Sequence, residues 1–246
     1  MQKVKDKIVP IKVKLLTIII PAVIIAMIVL IGISYSISKD LILDYSSSLL
    51  NSSIENQANE IESWLNENLA AFQMAKNVIE TTSPDDEELQ KILDGYYGTN
   101  DNCAEGLYVA DETGKMITAT NSTKKESNPC ESVWYKDGLS RWNMGVTEAY
   151  TNSDGTAVIS ATGLLNDNSD KVKVISADLA LERVSIIVNS YIEMDKAEAF
   201  LVSTQNDEIL AHRDMSLIST KLNESSDSFF QDIAKKLILR IMLLRR

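Results

Sequence analysis

LLTIIIPAVIIAMIVLIGISYSI, residues 15–37, decides how the rest of the chain is read. It carries no charged side chain, and its softer members are Thr17, Pro21, Gly32, Ser34, Tyr35 and Ser36. At 1.5 Å per residue, a helix over these positions reaches about 34 Å, enough to cross a hydrocarbon core of roughly 30 Å. A soluble core helix is seldom apolar on every side for so long, so the stretch predicts a transmembrane helix. Lys3, Lys5, Lys7, Lys12 and Lys14 precede it against one acid, Asp6, whereas Lys39, Asp40 and Asp44 follow it. That lysine excess predicts a cytoplasmic basic tail over 1–14 and an extracellular position from residue 38 onward, at the cell membrane. A cleaved signal peptide would instead have a short apolar core and a small-x-small site, for which Ser34-Tyr35-Ser36 is a poor match.

From Ser38 to Thr82 there is neither Gly nor Pro. Ala58, Leu65, Phe72 and Ile79 recur every seventh residue, and Ile54 with Ile61 forms a partner row. The pattern predicts a stalk helix over 38–82, about 65 Å long, with one apolar stripe. That stripe has two uses: packing onto the domain downstream, and pairing with a second copy of the chain as a homodimer near the membrane.

Thr81-Thr82-Ser83-Pro84-Asp85-Asp86 ends the stalk and starts another helix, with Ser83 as N-cap and Pro84 at its first position. That helix ends near Asp94-Gly95. The period then changes to that of strands. Glu105–Ala110 and Lys115–Thr120 flank the turn Asp111-Glu112-Thr113-Gly114 as a hairpin. A loop over 121–130 leads to a short helix at Glu131–Ser140. Strands at Gly145–Tyr150, Thr156–Leu165 and Lys171–Asp178 follow, joined by turns at Asn152–Gly155 and Asn166–Asp170. The order predicts a small antiparallel sheet with helices on one face, an α+β fold. Leu181–Tyr191 reads as an amphipathic helix. Ala199–Ser203 and Glu208–Ala211, around Gln205-Asn206-Asp207, repeat the first hairpin weakly at equal length. Asp227–Lys236 reads as helical.

The net charge of −11 is unevenly placed. Ten basic residues and one acid lie in 1–37 and 235–246, which leaves 14 basic against 34 acidic, or −20, for residues 38–234. So acidic a surface argues against nucleic acid, whose binding needs lysine or arginine to replace counterions. Cys103 and Cys130 are open between a disulfide and two buried thiols. Their spacing matches no zinc pattern, and neither a metal nor a cofactor is expected. His212 is the single histidine and lies far from any paired nucleophile, and no phosphate-cradling glycine loop occurs, so no enzyme is expected.

Taken in order, these pieces resemble the extracellular double Cache sensor domain of bacterial methyl-accepting chemotaxis proteins, from about Lys3 to Lys236. The most specific part is Val133-Trp134-Tyr135-Lys136, then Glu148-Ala149-Tyr150-Thr151, then Val174-Ile175-Ser176-Ala177-Asp178-Leu179. Ile209-Leu210-Ala211-His212 through Leu217-Ile218-Ser219-Thr220 is similar to the start of the membrane-near module. The resemblance implies a PAS-like, membrane-distal Cache module over 83–180 and an incomplete membrane-proximal one over 181–236. It implies a chemotaxis receptor that holds a small molecule between helix and sheet. In that family an arginine two residues before the tryptophan grips a carboxylate, aromatic residues wall the pocket, and an aspartate on the last strand holds the ammonium group. Trp134, Tyr135, Tyr150 and Asp178 match those positions, whereas Ser132 stands at the arginine position. Without a guanidinium, an amine or other small metabolite fits better than a standard amino acid.

Residues 237–246 form a basic, apolar tail in which Leu237–Leu244 is too short to span a bilayer. The expectation is a truncated or frameshifted receptor, or a fragment of one, lacking the second membrane helix, the HAMP linker and the signalling domain. A sensor fragment of a histidine kinase or diguanylate cyclase is an alternative. A pilin-like subunit is a lesser one, because Leu15–Ile37 contains no glutamate near its start.

Overall fold

A computed structural model describes residues 11–190, 199–204 and 206–244, apart from the side chains of Lys14 and 237–244. Lys3, Lys5, Asp6, Lys7, Tyr191, Gln205, Arg245 and Arg246 lie outside the described residues. The chain forms two compact units, Met1–Glu55 and Asn56–Arg246. Helix α1, Ile11–Thr82, contributes to both and is the one described helix long and apolar enough to cross a membrane. Within the first unit the side chains of its apolar window are unburied.

In the second unit, α1 turns inward a stripe that coincides only in part with the seven-residue row. Trp64, Asn68, Phe72, Ala75 and Ile79 are buried, with Gln57 and Lys76. Leu65 is half-buried and Ala58 exposed. Position 58 lies one residue, about 100° of helix rotation, from the inward-facing Gln57. The buried side chains of Gln57, Asn68 and Lys76 are each hydrogen-bonded. Gln57 Nε2 donates to the Val188 carbonyl at 2.8 Å, and Gln73 Oε1 accepts from the Met144 amide at 2.7 Å. Lys76 pairs with Glu80 at 2.6 Å, and Glu80 accepts from the Asn166 amide at 2.8 Å.

Helix α2, Asp86–Asp94, is capped by Asp85, whose carboxylate accepts from the amides of Glu87 and Glu88. The predicted cap Ser83 instead sits at φ 44°, and Pro84 precedes the cap rather than following it. A carboxylate serves the same orphan amides and complements the helix dipole better than a hydroxyl.

The main sheet has strands β1 (Leu107–Asp111), β2 (Met116–Ile117), β3 (Gly145–Val146), β4 (Tyr150–Thr151), β5 (Ala157–Leu165) and β6 (Lys173–Ala180). Its order is β2-β1-β6-β5-β3, with β4 also on β5, and every pairing is antiparallel. The single strand expected over Gly145–Tyr150 is therefore two short ones. Asp111 closes the first hairpin by accepting from Thr113 and Lys115, with Gly114 at φ +82°. Burial would raise the Asp111 pKa, but hydrogen bonds from Lys171, Thr113 and Lys115 outweigh it and hold the carboxyl at about 2.

Helices cover both faces of this sheet, not one. All of β1 and most of β5 and β6 are buried, so each face needs cover. Leu107, Val109, Ile175, Ala177 and Leu179 point to a core shared with α1, α2 and α4 (Leu181–Ser190). The alternate positions Tyr108, Ala110 and Val174 meet Trp134 and Tyr135 of α3, Val133–Gly138. A 3-10 turn at Pro129–Glu131 leads into that helix. Further on, β7 (Leu201–Val202) and β8 (Ile209–Ala211) form a two-stranded sheet. Ile209, Leu222, Phe230 and Ala234 make a small core beneath it, with α5, Ser228–Leu244.

Helix α3 sits so close to the sheet that a Cβ on Gly138 would lie 2.4 Å from Val174 Cγ1 and 2.5 Å from Thr162 Oγ1. Gly138→Ala is expected to destabilise the second unit by about 1–3 kcal/mol through overpacking. Calorimetric melting checks this, and an unchanged Tm would show that α3 is free to lift.

Candidate ligand-binding site

The face of the sheet under α3 carries a row of polar side chains. Ser160 and Asp178 are direct cross-strand partners on β5 and β6, and Tyr108 faces Ser176 across β1 and β6. Alternation alone puts Tyr108, Ser160 and Asp178 on one side. Asp178 Oδ1 accepts from Tyr108 Oη at 2.6 Å and Ser160 Oγ at 2.5 Å, with Tyr150 Oη at 3.4 Å. Tyr150 and Ser160 also share a 2.6 Å hydrogen bond. The Asp178 Oδ2 atom is held by the ammonium group of Lys124.

Lys124 comes from the irregular loop before α3, and its side chain is only 4 % exposed. Its Nζ lies 3.3 Å from Glu126 Oε1 and 4.4 Å from the centre of the Tyr108 ring. Glu126 in turn accepts from Trp134 Nε1 at 3.0 Å. Trp134 meets Tyr108 edge-on at 4.8 Å and Tyr135 at 5.7 Å. The loop is fixed by Glu105, which accepts from Ser122 Oγ at 2.6 Å, the Thr123 amide at 2.7 Å and Thr123 Oγ1 at 2.9 Å. The result is a box for one cation: carboxylates on two sides, an aromatic face on a third, and hydroxyls fixing Asp178.

Burial, followed by the charge of Asp178, pushes the Tyr108 hydroxyl well above the usual tyrosine range, and Tyr150 is raised for the same two reasons. Both therefore stay protonated and donate to the carboxylate. Burial and then Cys130 push Tyr135 up to about 12.

Of the four predicted residues, Tyr150 and Asp178 line the box directly. Trp134 joins it through Tyr108 and Glu126, and Tyr135 packs behind Trp134. Ser132, at the family's arginine position, turns back to donate to the Pro129 carbonyl at 2.5 Å. Tyr108, Lys124, Glu126 and Ser160 were not singled out from the sequence. Tyr108 and Ser160 have a signal in strand alternation, whereas the loop residues have none. Both carboxylate oxygens of Asp178 are committed to the box. The cysteines are thiols at opposite ends of β1: Cys103 Sγ lies 3.2 Å from the Gly106 carbonyl and Cys130 Sγ 3.4 Å from that of Asp111. Five strand residues of about 3.3 Å each stand between them, too far for a disulfide. Burial, followed by the Asp178 charge, pushes the Cys103 thiol up to about 12. A separate recess of about 450 Å³ opens on the other side of the sheet, lined among others by Phe72, Tyr96, Asn100 and Leu107.

No family model matches the chain. The methyl-accepting chemotaxis protein McpG of Pseudomonas putida is 33% identical over 97 residues, 39% of this chain and 15% of that protein. PscA of Pseudomonas syringae pv. tomato, also a methyl-accepting chemotaxis protein, is 25% identical over 166 residues, 67% of this chain and 26% of its own length. The chain thus matches about a quarter or less of the length of these relatives. Among solved structures, the ligand-binding domain of the Pseudomonas fluorescens chemoreceptor CtaA in complex with L-alanine aligns with a TM-score of 0.57 at 21% identity. That alignment covers 71% of this chain and 75% of the CtaA chain. The fold is that of a chemoreceptor ligand-binding domain. The relatives that the chain matches are methyl-accepting chemotaxis proteins, and the fold it shares with CtaA is consistent with a Cache domain. Within this chemoreceptor fold, the box under α3 is the candidate site.

Removing Asp178 strands a buried ammonium, and breaking such a pair typically costs about 3–5 kcal/mol. Asp178→Ala is therefore expected to lower the Tm by on the order of 10 °C. A drop of a degree or less would mean that water already solvates Lys124.

Proposed function

We propose that this chain is the solute-sensing part of a membrane-anchored chemoreceptor whose box under α3 selects small molecules bearing an ammonium group. The observation that carries the reading is the Asp178 carboxylate, oriented by three hydroxyls beside the Tyr108 ring. That arrangement suits a compact cation and offers an anion no guanidinium, since Ser132 stands at the arginine position. CtaA is seen with amino acids such as L-alanine and L-serine. Here the missing guanidinium favours an amine or other small metabolite over a standard amino acid.

In this reading residues 83–180 are the membrane-distal module and 181–236 the start of the membrane-proximal one. The apolar part of α1 crosses the membrane, with 1–14 in the cytoplasm and residues from 38 outside. A homodimer through the stalk gives the exposed apolar side chains before Glu55, among them Leu49, Leu50 and Ile54, a partner. The relatives favour a methyl-accepting output over a kinase or cyclase.

Isothermal titration calorimetry of the full chain in detergent, against amines, amino acids and organic acids, tests the ligand class. Amine-bearing compounds are expected to bind, and a preference for carboxylates lacking any amine would overturn the assignment of Asp178. For orientation, protease added to intact cells is expected to remove the acidic portion. Protection in intact cells together with digestion after lysis would place it inside.

A further inference from the structure

We propose that Lys124 is a tethered competitor for the ligand's ammonium group, so that an amine enters the box only by displacing it and thereby releases the loop before α3. The inference rests on the reading above that the box takes an amine, and it identifies what already occupies that place. Three hydroxyls fill Asp178 Oδ1, leaving Oδ2 as the face open to a cation, and Lys124 Nζ holds that face. The same ammonium meets Glu126 and the Tyr108 ring, so its surroundings contain every element of a cation site. A second ammonium cannot share Oδ2 without meeting a like charge a few ångströms away.

The balance of charge also favours exchange over the addition of an anion. Asp178 and Glu126 outnumber Lys124 by one negative charge, so an anion brought to Lys124 would meet two carboxylates. Exchanging one ammonium for another keeps the sum unchanged and lets the lysine return to water on its flexible stem. Lys124 and Glu126 stand in one segment with neither helix nor strand, whereas Asp178 stands on β6 and Glu126 is tied to Trp134. When Lys124 leaves, Glu126 loses the cation that shares its carboxylate with Trp134 Nε1, and α3 receives the change through that indole. Binding and loop release are then one event.

A tethered group acts at an effective concentration set by its linker, and it lowers a ligand's apparent affinity by the fraction of time the site is free. Lys124→Ala should therefore bind a simple monoamine more tightly than wild type, by about tenfold or more. The probe is n-propylammonium, which reproduces the distal part of the lysine side chain, with tetrapropylammonium as a cation lacking N–H donors. In thermal melts of the full chain in detergent, saturating propylammonium should raise the Tm of Lys124→Ala by about 5 °C. Wild type should move far less at the same concentration, and Lys124→Ala combined with Asp178→Asn should lose the response. Equal shifts in Lys124→Ala and wild type, or a shift that survives Asp178→Asn, would overturn the proposal.

Should Lys124→Ala not fold alone, it is expected to be recovered folded when prepared in propylammonium and not in tetrapropylammonium. Recovery in neither salt, or equally in both, counts against the proposal. Amine binding by wild type without any gain in Lys124→Ala would overturn the role of Lys124 while leaving the amine reading intact. Absence of amine binding in both chains would overturn the two together.

Discussion

A single buried ammonium, that of Lys124, organises the face of the sheet beneath α3. Taking such a charge out of water costs several kcal/mol unless it is paired and hydrogen-bonded. The chain meets that demand from four places at once: Asp178 on β6, Glu126 on the same loop, Tyr108 on β1, and the hydroxyls that fix Asp178. The antiparallel register makes this convergence possible. Because Ser160 lies directly opposite Asp178, hydroxyl and carboxylate share one face without any loop having to place them.

The same register divides the labour of the sheet. Alternate residues of β1, β5 and β6 face either the polar box and α3 or the apolar core beneath α1, α2 and α4. The thinness of α3's seat, set by Gly138 against Val174 and Thr162, brings Trp134 within reach of Tyr108. On the far side, β6 runs directly into α4, and the Val188 carbonyl of α4 accepts from Gln57 on α1. Box and stalk are therefore joined by continuous packing within the second unit. This is spatial continuity, and coupling between them needs an element with two states.

Much of this was legible in the sequence because the signals were periodic. The charge-free run at 15–37, the absence of Gly and Pro in 38–82, and the alternation around Asp111-Glu112-Thr113-Gly114 each follow from local chemistry. Asp178, Trp134 and Tyr150 were found through a resemblance in spacing. The misplacements have physical causes. The stalk's seven-residue row took Ala58 and Leu65 for the inner stripe, but packing against a sheet selected the neighbouring face with Gln57, Trp64 and Asn68. Ser83 lost the cap to Asp85, two residues on. The sequence pattern points to helices on one face only, because short α3 carries little periodic signal. Lys124 and Glu126 were invisible for a different reason: in an irregular loop, no pattern announces which lysine folds inward.

The proposed ligand chamber lies under α3, not in the recess beside α1. Hydrogen exchange of the full chain, with and without the tightest ligand found by calorimetry, tests this directly. With the chamber under α3, ligand-dependent changes are expected to concentrate in the loop over 121–130, in α3 and around Asp178. Changes confined to residues 96–107 and the facing part of α1 would place the chamber in the other recess and contradict this placement.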